Sequence, residues 1–328
     1  MAKKQRVLSG MRPTGPLHLG NLHGALINWV KMQDQYDCFY FIADWHALTS
    51  DYEDTALIKS YIRDMMLDWL SAGLSPEKST LFVQSSVKEH AELYLLLSMI
   101  TPVPWLERNP TYKDQIVQLS NKDLSTFGFL GYPVLQAADI IMYKAHGVPV
   151  GIDQVPHVEI TREIARRFNF LYGNVFPEPE AILTQTPKIL GTDRRKMSKS
   201  YHNAIYLSDS PEDIRKKVAG MITDPQRKRR SDPGNPDVCN VFEFHKVYTG
   251  EETIARIDQE CRTARVGCVD CKKIMAENLI EALAPIREKR AYYEARPDEV
   301  GDIIVEGCRK ADAVAKQTMS DVRTAMKI

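Results

Sequence analysis

The chain has 328 residues, 44% apolar and 26% charged, the balance of a globular protein with room for one large or two moderate domains. Forty-three basic residues face forty-three acidic ones, so an anionic partner must be met by local basic patches and not by a global field. No stretch approaches eighteen apolar residues, and Ala2-Lys3-Lys4-Gln5-Arg6 runs into a strand-like segment without a signal-peptide core; the expectation is a cytoplasmic protein with no membrane span.

Arg6 to Gly10 is a strand candidate, followed by the Pro-Thr-Gly turn of Met11 to Asn21, "MRPTGPLHLGN", and a helix signal at Leu19, Leu22, Ala25, Leu26, Trp29 and Val30. Cys38 to Ala43, "CFYFIA", has the continuous apolar run of a buried parallel strand. Leu57 to Leu70 carries a wide helical apolar face, and Thr80 to Val83 is a third strand candidate. The order β-α-β-α-β predicts a parallel sheet with helices on both faces and ligands at the carboxyl ends of the strands. Pro102 to Tyr112 reads as an irregular connection, Gly131 to Tyr143 as mostly helix, Val148 to Val150 as a brief strand, and Gln154 to Phe168 as a helix. From Pro211 onward the pattern is almost entirely helical. The expected fold class is therefore α/β: a Rossmann-like parallel-sheet domain over residues 1–205, with a connective region at about 101–140, and a helical C-terminal domain over 206–328.

Two strings carry chemistry. Gly10 and Gly15 permit an unusual backbone path, Pro13 fixes the chain between them, and the helix that follows offers free amides and a positive end to a phosphate. His18 offers a ring donor, Gly20 a bare backbone for a flat ring, and Asn21 an amide donor. Gly191 to Ser200, "GTDRRKMSKS", has four cationic residues in ten; it is either a solvated loop or an arm whose Lys196 and Lys199 close on a departing pyrophosphate.

Together these strings resemble the signatures of class I aminoacyl-tRNA synthetases: "PTGPLHLGN" is similar to the HIGH motif, with Asn21 where other members carry His, and "KMSKS" matches the second motif letter for letter. The stretches "ADWHALT" (Ala43 to Thr49), "GYPVLQAADIIMY" (Gly131 to Tyr143) and the continuation through Asn169 resemble tryptophanyl-tRNA synthetases. The resemblance implies activation of L-tryptophan with Mg-ATP (Mg2+ as the metal) and transfer to tRNA(Trp), with tyrosyl-tRNA synthetase, a non-catalytic RNA-binding paralogue and a metabolite nucleotidyltransferase as the competing readings. It implies catalytic roles for His18, Asn21, Lys196, Ser198 and Lys199. It assigns ATP to Arg12, Pro13, Thr14, His18, Gly20, Asn21, Gly151, Ile152, Asp153, Ile189 and Lys196 through Ser200, Met197 included. It assigns tryptophan to Leu8, Gly10, Tyr132, Gln136, Asp139, Val148, Val150 and Gln154. Asp139 sits among Ala137, Ala138, Ile140 and Ile141, where an unpaired carboxylate is costly; by resemblance it accepts the indole N–H, the competing partner being a nearby cation such as Lys144. A homodimer is also implied, and neither DNA nor membrane is expected as a partner.

Cys239, Cys261, Cys268 and Cys271 fall within 33 residues, and four thiolates suit tetrahedral zinc or an iron-sulfur cluster. Some bacterial members of the family carry a 4Fe-4S cluster on Cys-x22-Cys-x6-Cys-x2-Cys; this chain has twenty-one residues in the first gap. The resemblance thus favours 4Fe-4S over Zn2+. The nearby run Arg227-Lys228-Arg229-Arg230 is a solvated loop or a contact to tRNA phosphates.

Overall fold

The computed structural model describes residues 4–118, 123–183 and 189–328. Residues 119–122 of the connective region and 184–188 before the lysine-rich loop lie outside them.

Strand β1 (Arg6–Met11) leads through the Pro-Thr-Gly turn into α1 (Leu19–Asn21), a π-helical turn (Leu22–Leu26) and α2 (Ile27–Met32). Then come β2 (Asp37–Ile42), α3 (Asp44–Asp51), α4 (Ile58–Ala72) and β3 (Ser79–Val83). Helices α5 (Glu89–Ser98), α6 (Val103–Glu107), α7 (Pro110–Gln118) and α8 (Phe127–Met142) precede β4 (Gly147–Val150), α9 (Val155–Tyr172) and β5 (Glu180–Leu183). The chain ends in α10 (Pro211–Ala219), α11 (Asn240–Tyr248), α12 (Glu251–Arg262), α13 (Cys268–Glu294) and α14 (Pro297–Met326).

The five strands form one all-parallel sheet in the order β3-β2-β1-β4-β5, the expected α/β architecture. Chain order reverses between β1 and β4, so the crevice at their carboxyl ends is the topological switch point where such sheets take ligands. The β2 run Cys38 to Ile42 is buried on both faces, as its unbroken apolar sequence requires.

The stretch read as an irregular connection after Thr101 contains α6 and α7. Pro104 and Pro110 lie in the first turns of these helices, where a missing N–H costs nothing, so prolines that suggested a loop instead start two short helices. Strand β5 and helices α3, α5 and α11 were not anticipated either; α5, with Leu93, Leu95, Leu96 and Leu97 in one cluster, lacks the spacing that marks one apolar face. The final helix turns back to the sheet: Ala311, Ala315, Met319 and Val322 are buried with Leu8, Phe39 and Phe82, and Lys144 pairs with Asp321 at 2.7 Å.

A cavity at the switch point and a cationic loop beside it

A cavity of about 360 Å³ opens at the carboxyl ends of β1 and β4, within the range of roughly 300–1,000 Å³ usual for small-molecule sites. Leu8, Gly10, Tyr132, Gln136, Asp139, Val148, Val150 and Gln154 all line it, so every residue assigned to tryptophan meets in one space. Arg12 and Gly151, assigned to the nucleotide, lie on its rim, and Trp29, Phe41, His46, Thr49 and His157 complete the wall. None of these last five was singled out from the sequence, although His46 and Thr49 fall inside the quoted "ADWHALT".

Asp139 is completely buried. His46 Nε2 donates to Oδ2 at 2.7 Å, His90 Nδ1 to Oδ1 at 2.6 Å, and Gln84 Nε2 reaches both oxygens at 2.8 and 2.9 Å. Burial alone drives the carboxyl upward, but the hydrogen bonds from His46 and His90 outweigh it, and its pKa falls below the ordinary value. The donors are themselves held: Gln84 Oε1 accepts from Trp45 N–H at 3.1 Å, and Tyr143 O–H donates to His90 Nε2 at 2.7 Å. A carboxylate has about four lone-pair sites, and here these donors occupy them. A ligand N–H at Asp139 must therefore take a place now held by a protein donor, and His46 is the donor exposed on the cavity wall. Lys144, the alternative partner, is committed to Asp321.

Tyr132 is prepared by a second relay. Asn109 Oδ1 accepts from Thr111 N–H at 2.9 Å, which turns its amide donor to His157 Nδ1 at 3.1 Å. Burial lowers the His157 pKa to about 4, so the neutral ring carries its proton on Nε2 and donates it to the Tyr132 oxygen at 3.2 Å. The Tyr132 hydroxyl proton is left for a ligand.

The two signature strings, about 180 residues apart, meet beside this cavity. His18 pairs in an antiparallel bridge with Tyr206, Leu19 N–H donates to Ile205 O at 3.0 Å, and Leu207 N–H to Leu17 O at 2.9 Å. The segment after the lysine-rich loop is thereby stitched to the turn. Gly15 adopts φ of +124°, and the Lys199 ammonium lies 3.3 Å from where a Cβ there would stand. Gly20 is required by contact: a Cβ would sit 2.9 Å from the His18 ring. Asn21 Oδ1 accepts the His18 N–H at 3.0 Å, so this side chain caps the helix, and its oxygen is turned inward.

Lys196 and Lys199 form no ion pair with a carboxylate among the described residues. Burial lowers the Lys199 pKa to about 8. Burial and the Lys199 charge together lower His18 to about 4, leaving a neutral imidazole whose Nδ1 has no partner. Cations held near a neutral donor without a directly paired carboxylate form an anion site. Asn203, unmarked in sequence, knits the loop: its amide donates to Asp193 at 2.7 Å and Lys196 O at 3.1 Å, and its Oδ1 accepts from Ser198 N–H at 2.8 Å. Met197 is buried, Ser198 and Lys199 are half-buried, and Ser200 is exposed. Pro13 is buried and Thr14 exposed in the turn; Ile152 and Asp153 are exposed outside the cavity, and Ile189 is half-buried against the core.

The four cysteines gather around a guanidinium. Arg227 Nη1 lies 3.8 Å from the sulfurs of both Cys261 and Cys268, and Cys271 Sγ is 3.4 Å from His245 Nε2. Burial first, and then the charges of the other three thiols, push Cys271 up to about 12; Cys239 and Cys261 are raised too. Among the described residues no three His, Cys, Asp or Glu side chains stand in the geometry of a bound metal ion. The expected metal centre is therefore not formed by these side chains as they stand. Arg227 points inward, whereas Lys228, Arg229 and Arg230 are exposed.

Residues 1–284 match the family model of class I tRNA synthetases for tryptophan and tyrosine, and the chain belongs to that family of enzymes. It is 57% identical to the tryptophan–tRNA ligase of Thermotoga maritima (98% of this chain, 99% of the relative) and 48% identical to that of Aquifex aeolicus (98% and 100%). A solved tryptophanyl-tRNA synthetase from Campylobacter jejuni, described as complexed with ADP and tryptophan, superimposes with a TM-score of 0.91 at 34% identity over 99% of this chain and 100% of its own. Within the family the chain is a member of the tryptophan–tRNA ligases. No helix among the described residues is long and apolar enough to cross a membrane.

Proposed function

We propose that this enzyme activates L-tryptophan with ATP and transfers it to tRNA(Trp), with the switch-point cavity as the tryptophan pocket and the turn of Arg12 to Asn21 as the nucleotide cradle. The observation that carries the reading is the adjacency of the two: the cavity holding Asp139 and His46 is lined also by Arg12 of the turn, which lies within electrostatic range of Lys199, itself packed against Gly15. Indole fits between Leu8, Val148 and Tyr132, with its N–H replacing His46 at Asp139 Oδ2. The amino acid's carboxylate attacks the α-phosphate in line, pyrophosphate leaves toward Lys196, Ser198 and Lys199, and the terminal ribose hydroxyl of tRNA then takes the acyl group. Mg2+ arrives as part of the substrate. The protein supplies positioning and charge neutralisation, as in phosphoryl transfer generally.

The test is amino-acid-dependent ATP–pyrophosphate exchange with each standard amino acid. Stimulation by tryptophan alone is expected. Stimulation by tyrosine moves the assignment to the sister activity, and no exchange with retained tRNA binding indicates a non-catalytic paralogue.

The C-terminal helices are proposed to meet the tRNA anticodon through Lys228 to Arg230, and the four cysteines to hold a structural 4Fe-4S cluster. The crowding of buried thiols, raised first by burial and then by one another, supports a cationic occupant; a cubane spans more widely spaced thiolates than the zinc alternative does. Iron, sulfide and zinc analysis of anaerobically purified protein decides the occupant. Cys268→Ser is expected to weaken tRNA charging at least several-fold while exchange is retained, and equal loss of both sinks the structural role. Exposed Leu95, Met99, Val103 and Phe127 support a homodimer, checked by sedimentation.

A further inference from the structure

Asp68 belongs to neither motif, yet it is a carboxylate with 1% exposure on the apolar helix α4. Its Oδ2 accepts the backbone N–H of Leu17 at 3.1 Å, and Leu17 immediately precedes His18. Its Oδ1 is bonded by Arg290 of α13, a guanidinium that also reaches Asp64 at 3.4 Å and Glu294 at 2.8 Å. Lys199 lies within electrostatic range on the far side. A buried carboxylate needs such partners, and these come from three places in the fold: the nucleotide turn, the lysine-rich loop and the C-terminal helices. A second contact runs parallel, since His23, one turn beyond His18, bonds the Tyr248 hydroxyl of α11 at 2.6 Å.

We propose that Asp68 and Arg290 are positioning residues for adenylation: the pair carries the placement of α13 to the Leu17 amide and so sets where His18 meets the nucleotide. Neither touches the cavity, so they act through the turn. The proposal rests on the adenylation reading above. The physical logic is that a single charged hydrogen bond from a rigid helix fixes the backbone amide one residue before the catalytic ring, and small misplacements at such a point are costly to rate. Arg290 in turn keeps Asp68 ionised. Burial raises the carboxyl to about 6 even with Arg290 beside it. The groups facing it are Arg290 from α13, Asp64 from its own helix, the Leu17 N–H from the turn and Lys199 from the loop. Without Arg290 the carboxyl moves higher still, and protonation deprives the turn of its charged anchor near neutral pH.

The experiment compares Arg290→Gln, Arg290→Lys, Asp68→Asn and the double variant Asp68→Asn/Arg290→Gln in tryptophan-dependent exchange from pH 5.5 to 9, alongside thermal unfolding. Wild-type exchange with tryptophan secures the underlying reading first; its absence overturns that reading, whereas the variants judge only this one. Arg290→Gln is expected to lower kcat roughly tenfold and raise KM for ATP while KM for tryptophan holds, with its acid limb displaced toward neutral pH. Arg290→Lys restores most of the rate. Asp68→Asn loses the acid limb, and the double variant is no slower than Asp68→Asn alone. The proposal is overturned if folded Arg290→Gln keeps its ATP kinetics and acid limb, if both KM values change together with thermal stability, or if Asp68→Asn retains the limb. Should Arg290→Gln not fold, Arg290→Lys against Asp68→Asn carries the same comparison.

Discussion

The proposed tryptophan side and the proposed nucleotide side of this enzyme are built on opposite electrostatic plans. Around Asp139 the polar atoms carry protein partners, two histidines and an amide held in turn by Tyr143 and the backbone of Trp45. Around His18 and Lys199 direct partners are missing: a neutral imidazole with an unpartnered nitrogen, and an ammonium lowered to about 8 by burial that feels Asp68 without an ion pair to it. A buried network with every member satisfied is rigid and specifies shape. A cation with no carboxylate directly paired to it awaits an anion. On the proposed reading, the contrast teaches that tryptophan must displace a donor already in place at Asp139, His46, whereas the phosphate site is completed by its ligand.

Removing the cation gives the largest expected effect. Lys199→Ala is expected to slow adenylation on the order of 10²–10³-fold, the scale for losing a preorganised charge partner of a transition state, with KM for tryptophan nearly unchanged. Single-turnover formation of the adenylate measures it; a change confined to tryptophan affinity breaks the comparison.

Asp139→Asn comes next. It leaves His46 and His90 facing an amide and takes the charge from the acceptor, a loss of about 1.5–3 kcal/mol for a charge-assisted hydrogen bond. The expected result is a fall in kcat/KM for tryptophan of roughly tenfold to a hundredfold, while ATP binding measured without tryptophan persists. Weakened ATP binding of the same size shows that the two sides are not separate.

The nucleotide side should also reveal itself in pH dependence. Lys199 is depressed from the usual lysine value to about 8, so it is cationic below that pH and loses its charge as pH rises through it. The parameter kcat/KM for ATP, which reports the free enzyme, is expected to fall severalfold between pH 8 and 9. Bound phosphates restore the charge, so the limb in kcat lies higher. His18, at about 4, contributes no limb above pH 5. Identical limbs in both parameters contradict a Lys199 that lacks a directly paired carboxylate.

The smallest effect belongs to the tryptophan side. Tyr132→Phe deletes the acceptor of His157 Nε2–H and the hydroxyl offered to the ligand. A neutral hydrogen bond contributes about 0.5–1.5 kcal/mol, so KM for tryptophan should rise a few-fold, as steady-state exchange would show, with kcat held.

The alternation of strands and helices through Val83, the parallel sheet and the two signature strings are legible from sequence because they rest on local periodicity and on turn chemistry within a few residues. The residues that the family resemblance assigned to tryptophan came from that likeness and not from local pattern, and it is the fold that brings them to one cavity. The helices after Pro102 were hidden because proline marks a helix start as readily as a loop, and β5 because four residues carry little periodic signal. What holds the site together was decided by tertiary structure alone. His46 and Asp139 are 93 residues apart, Asp68 and Arg290 222. His157, Asn109 and Asn203 give no signal of their own, since their part depends on which buried polar atom folding brings within 3 Å or so of them. A carboxylate in an apolar stretch announces that a partner must exist, because leaving it bare costs too much. The identity of that partner is a property of the packed chain, where desolvation removes water as a competitor and the nearest donor becomes the only remedy.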